Sequence, residues 1–222
     1  MNRAADHPGS TDAPVSAVSR VEEQTNVSGD AISPKELRVA ITGHRPGGLW
    51  DASGRPVDLA AAISEFLLWI NEKASLRGYD TVTIITGGAL GVDQEVAAAT
   101  ERLRDAPDGR GAVKNLRSCI VLPFPPEILG ARWQPRDVAR LVDLVAHADE
   151  VVGPLYEHYS VGGLHARNHK MVDSANIVVG FWNGTHSGGT YACLCYALAK
   201  GKPMLNALSG MRRINKEDLL AA

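Results

Sequence analysis

Three short stretches concentrate the residues able to do chemistry. They are "TGHRPGG" with Gly43, His44 and Arg45, "TGGALGVD" with Gly87, Gly88, Gly91 and Asp93, and "NGTHSGGT" with Gly188, Gly189 and Thr190. Glycines at the opening of a helix clear side chains from its first turn, so several backbone N–H groups can approach an oxygen-rich anion while the helix dipole adds attraction. Arg45 presents a planar fork suited to phosphate or carboxylate, and the His44 imidazole can donate a hydrogen bond or exchange a proton near neutral pH. Arg167 offers a second guanidinium for phosphate, with Asn168 beside it. Asp93 stands in the first turn of its helix, where a carboxylate either complements the dipole or binds a ribose hydroxyl. Glycines at strand-to-helix junctions are also common for conformational reasons, so one such turn says little. Two in one sheet favour a ligand.

Arg132 and Trp133 lie in the proline-rich link "LPFPPEILGARWQP". An exposed Trp can stack on a base, whereas a buried one anchors its loop in the core. Neither glycine turn is the strict G-x-G-x-x-G fingerprint or a Walker loop, which disfavours nicotinamide and P-loop chemistry; no cofactor is expected. Cys193 and Cys195 lack the two-residue spacer and second Cys/His cluster of a zinc site, so no metal is expected and burial of small side chains accounts for them.

These residues need a scaffold, and the apolar pattern supplies one. The runs "LRVAIT" (37–42), "TVTIIT" (81–86), "LRSCIVLPF" (116–124), "NIVVGFW" (176–182) and "KPMLNAL" (202–208), with the weaker "DEVVGP" (149–154), are nearly continuous apolar strands. Such strands are buried on both faces, as in a parallel sheet covered by helices. Helical segments alternate with them: "DLAAAISEFLLWINEKASLRG", with Asp58 as cap and Gly78 as stop, then "GVDQEVAAATERLRD", "PRDVARLVDLVAHA" and "GGTYACLCYALAKG". The alternation predicts an α/β fold with a Rossmann-like, doubly wound, mostly parallel sheet and helices on both faces. Ligands of such sheets bind beyond the carboxyl ends of the strands, where the three stretches fall.

With 222 residues, 45% of them apolar, the chain can build one core, and the stretch 36–222 is read as one domain. Residues 1–35, rich in Ser, Ala, Asp, Glu, Pro and Thr, are read as a disordered or loosely attached tail. No signal-peptide h-region or membrane span is legible, and three cysteines suggest a reducing compartment, so a cytoplasmic protein without membrane contact is expected. Lys and Arg number 23 against 25 Asp and Glu; a net charge of -2 speaks against a nucleic-acid partner without excluding a local basic patch.

Taken in order, "ITGHRP", "IITGGALGVDQ", "LPFP" with its following "RW", "ARNHKMVD" and "FWNGTHSGGT" resemble the YpsA-like branch of the SLOG superfamily. This Rossmann-like group is related to the DNA-processing protein DprA and to LOG-type phosphoribohydrolases, and is often filed as lysine-decarboxylase-like. The resemblance spans residues 37–208. It implies a pocket for a nucleotide or nucleotide-derived small molecule, with Gly43, His44, Arg45, Gly87, Gly88, Gly91, Asp93, Arg167, Asn168, Gly188, Gly189 and Thr190 at the matching positions. It also implies a homo-oligomer, because related proteins often pair.

Superfamily members include N-glycosidic hydrolases, sensors of nucleotide signals and DNA-binding proteins, so the resemblance alone does not choose the activity. The LOG-type motif is followed by a glutamate on the next helix, whereas "SGGTYACLCYA" carries no acid. An oxocarbenium-like transition state needs a carboxylate nearby, which weighs against that reaction here. The first expectation is therefore a nucleotide sensor or ligand-binding module. The second is a nucleotide N-glycosidase or phosphate-bond hydrolase with Asp93 as catalytic carboxylate and His44 as acid or base. The third is a single-stranded DNA binder, suggested by kinship to DprA and by Trp133.

Overall fold

Runs of β-branched residues form the strands, and their alternation decides which helix covers which face. In the computed structural model, residues 34–220 are described apart from 46, 48, 50–55, 107–112 and 114. All but the last two positions of the tail expected over 1–35 lie outside the described residues. A compact unit begins at Pro34. Its strands are β1 (Glu36–Gly43), β2 (Thr81–Thr86), β3 (Leu116–Val121), β4 (Glu150–Val152), β5 (Ile177–Phe181), β6 (Met204–Asn206) and β7 (Arg212–Arg213). They form a sheet of order β4-β3-β2-β1-β5-β6-β7, parallel throughout except for β7. The helices are α1 (Leu59–Ser75), α2 (Val92–Arg104), α3 (Pro126–Leu129), α4 (Pro135–His147), α5 (Val161–Asp173), α6 (Gly188–Ala199) and α7 (Lys216–Leu220).

Val39, Ile41, Val82 and Ile84 face Ile63, Phe66, Leu67 and Ile70 of α1. The intervening Ala40, Ile85 and Cys119 face Met171 and Val172 of α5 and Cys193, Leu194 and Ala197 of α6. A third cluster joins Ile120, Leu122 and Phe124 to Ala97 of α2 and to Leu141 and Leu144 of α4. The sheet is thus covered on both faces, as the apolar pattern predicts. No helix among the described residues is long and apolar enough to cross a membrane.

Local signals held at several boundaries. Asp58 caps α1 by accepting from the Ala61 amide at 3.1 Å. Strand β3 stops at Val121, short of the predicted 124, because Pro123 has no N–H to continue a ladder. Strand β6 stops at Asn206, whose side chain accepts from the Leu208 amide at 3.1 Å and turns the chain into a 3-10 helix, Ala207–Ser209. The short elements β7, α3 and α7 have no counterpart in the sequence reading; segments of two to five residues carry too little periodicity to register.

From β1 the chain steps outward through β2, β3 and β4, then returns to the other side of β1 as β5. The connections beyond the ends of β1 and β5 therefore leave in opposite directions, which opens a crevice between them. The sheet's central packing centres on Phe66, fully buried and edge-on to Phe181 with ring centroids 5.9 Å apart. Phe66→Ala is expected to cost about 3–5 kcal/mol. Urea denaturation should show a lower midpoint at unchanged slope.

Candidate functional site

A crevice of about 980 Å³ lies where the sheet reverses direction. Gly43, His44 and Arg45 enter it from the end of β1, and Gly188, Gly189 and Thr190 from the head of α6. Asp93, Arg167 and Asn168 line it together with Trp133. Four predicted residues, Gly87, Gly88, Gly91 and Arg132, do not line it.

The two glycine turns differ in a way their sequences conceal. In the 87–91 turn, the Asp93 carboxylate reaches back and accepts from the Gly87 amide at 3.0 Å and the Ala89 amide at 3.4 Å. Arg167 then donates through Nη1 to the Gly87 carbonyl at 2.6 Å and to Asp93 Oδ2 at 3.2 Å. A side chain at Gly87 would overlap that guanidinium, so the glycine is needed to admit Arg167. The amide cradle expected here already holds an anion, and that anion belongs to the protein. Asp93 is 6% exposed and Arg167 8%. Burial pushes the Asp93 carboxyl upward, while Arg167 and the two amides pull the other way.

The head of α6 is arranged differently. Ser187, at its N-cap, makes no side-chain capping bond. Gly188 has φ +83, a conformation that favours glycine, and open space lies beyond both Gly188 and Gly189. Asn168 steadies this turn from α5 by donating to the Gly189 carbonyl at 3.3 Å. A helix head without a side-chain cap can give its amides to an oxygen anion or to water.

His44 is half-buried, and burial lowers its pKa, with a hydrogen bond to the Asn183 side chain acting in the opposite direction. Its Nε2 is buried without a partner among the described residues. Arg45 is exposed at the mouth. The sequence reading missed the apolar wall, formed by Leu90, Leu129, Val161, Leu164 and Met171. Residues 161, 164, 165 and 168 fall at i, i+3, i+4 and i+7 on one face of α5, a helical stripe that would have identified Val161, Leu164 and His165.

Asp93→Asn or Arg167→Met alone should destabilise the fold by about 3–5 kcal/mol, since each strands a buried partner. The double variant should lose less than the sum of the two, as measured by chemical denaturation. For His44, folding lowers the pKa, so the unfolded chain takes up the proton first as pH falls. Its contribution is complete above about 6.5, the ordinary imidazole value, and declines as pH drops below it. A proton-resonance titration should place the His44 midpoint below about 6.5, and His44→Gln should remove that part of the acid sensitivity.

No protein-family model matches the sequence, and no curated protein matches it. Among solved structures, DNA processing protein A (DprA) from Streptococcus pneumoniae is similar, with a TM-score of 0.52 and 16% identity over 85% of this chain and 61% of that one. DNA processing protein A from Helicobacter pylori, described for its single-stranded DNA binding mode, aligns with a TM-score of 0.45 and 18% identity over 77% of this chain and 64% of that one. The chain spans less than two thirds of the length of either protein. At 16% identity the likeness to the Streptococcus pneumoniae protein establishes the architecture alone: a Rossmann-like α/β fold of the DprA kind.

Proposed function

We propose that the crevice binds a phosphate group of a nucleotide or nucleotide-derived small molecule, and that the chain works as a sensor or ligand-binding module. The observation that carries this is the contrast between the two glycine turns. One is closed by Asp93; the other, at the head of α6, has no side-chain cap and opens onto the crevice. A phosphate there accepts charge-assisted bonds from the amides and lies at the favourable end of the helix dipole. Arg45 supplies an exposed cation, and Arg167 a buried one whose Nε has no partner among the described residues. Trp133, Leu129 and Leu164 offer a wall for a base. The YpsA-like order of motifs supports the same ligand class, and with it a homo-oligomer.

The hydrolase reading has less support. Asp93 Oδ2 already accepts from Gly87, Ala89 and Arg167, and α6 brings no acid to the crevice. Such a carboxylate is poorly placed to take a proton from water. A single-stranded DNA ligand is the second reading. Trp133 on the wall and exposed Arg132 beside it form the kind of aromatic and cationic pairing on which bases stack, and the fold is of the DprA kind.

Thermal shift with AMP, ADP-ribose, cyclic nucleotides and oligothymidylate, run alongside assays for released base or ribose phosphate, separates the three. A shift by small nucleotides without turnover is the expected result; affinity confined to the oligonucleotide and falling steeply with salt would favour DNA. Arg45→Ala should weaken the nucleotide by about 1.5–3 kcal/mol by calorimetry. Gly189→Val, which has room for its side chain, should lose binding at nearly unchanged stability. Parent-like affinity in a folded Gly189→Val protein would remove the α6 amides from the site.

A further inference from the structure

The open turn at the head of α6 is held from outside the crevice by the C-terminal helix. The last carbonyls of any helix lack intrahelical donors and must find partners elsewhere. In α7 two of them find donors in the loop before α6 and in its first turn. His186, in the 183–187 loop that leads into α6, donates through Nε2 to the Asp218 carbonyl at 2.8 Å. Tyr191, in the first turn of α6, donates through its hydroxyl to the Leu219 carbonyl at 2.9 Å. The His186 ring sits edge-on to both Trp182 and Tyr191, with centroids 5.6 Å and 5.4 Å away. Trp182 in turn donates from its indole to the Thr185 carbonyl at 2.9 Å, closing the same loop.

Helix α7 is itself anchored. Leu219 is 1% exposed and packs in the cluster that holds Cys193 and Leu194 of α6. The Asp218 carboxylate accepts from Arg212 of β7 at 2.9 Å and from the Asn215 amide at 2.8 Å. The chain therefore runs from the sheet edge through α7 to His186 and Tyr191, which flank Gly188 and Gly189 on either side in sequence. Tyr191 lines the crevice; His186, Asp218 and Leu219 do not.

We propose that α7 is a positioning element for the crevice: through His186 and Tyr191 it sets the orientation of the α6 head, so that ligand occupancy and the order of α7 are coupled. This rests on the anion reading of the α6 head, which the buried Nε of Arg167 in the crevice lining, without a partner among the described residues, supports independently. Reciprocity follows from thermodynamics. If an ordered α7 favours the bound arrangement of the amides, a bound anion must order α7 by the same free energy.

The test uses the full chain, with AMP and inorganic pyrophosphate as probes. Hydrogen exchange at the α7 amides should slow when a probe binds the parent protein, although α7 does not line the crevice. Leu219→Ala and His186→Ala should each weaken the probe roughly five- to tenfold. His186→Phe keeps a ring in place and removes only the hydrogen bond; it should fall between parent and His186→Ala, and it serves if Leu219→Ala does not fold. Folded variants with parent affinity, or probe binding that leaves α7 exchange unchanged, overturn the coupling while leaving the anion reading intact. A parent protein with no affinity for either probe overturns the anion reading and this inference with it.

Discussion

The buried ion pair between Asp93 and Arg167 is the constraint around which the crevice is arranged. It joins the first turn of α2 to helix α5, across 74 residues of sequence, with a contact at 3.2 Å. Two charges taken out of water are costly unless their remaining hydrogen-bonding capacity is met. Here the carboxylate takes two backbone amides besides the guanidinium, and the guanidinium takes the Gly87 carbonyl, while Arg167 Nε stays without a partner among the described residues. Breaking one partner leaves the other charged and buried, so the pair acts as a single geometric lock on the floor of the crevice.

That lock determines what each glycine turn can do. Amides already answered by an internal carboxylate have little left for a ligand, and the glycine in that turn serves the Arg167 side chain. The α6 head, which no carboxylate caps among the described residues, stays open. Strand order then brings the open turn next to His44 and Arg45, because β5 lies directly against β1 and pairs Gly43 with Phe181. The crevice thus combines a closed, rigid side and an open, amide-rich side, with the α5 stripe and Trp133 as an apolar wall.

The open side is supported from two directions. Asn168 holds the Gly189 carbonyl from α5, and α7 holds the approach loop and the first turn of α6 from the far side. A helix head presented to a ligand loses precision if its loop can swing, and fixed donors bind an anion with less reorganisation than mobile ones. The buried carboxylate of the crevice, Asp93, is engaged by the Gly87 and Ala89 amides and by Arg167.

Much of this architecture was legible in the residues. Strand runs such as 81–86, the cap at Asp58 and the glycine turns are local signals, readable because periodicity and capping act over a few residues. The stretch around residues 161–168 also carried a helical stripe toward the crevice. The sequence alone could not tell that two similar glycine turns would differ in availability, because the difference comes from Asp93 folding back six residues and Arg167 arriving from 80 residues away. Nor could it place α7 against the α6 head, since a five-residue helix has no pattern of its own. Local chemistry determined which elements form; the tertiary structure decided which backbone amides remain available, because a hydrogen bond is satisfied by whatever donor or acceptor arrives in space, however distant in sequence.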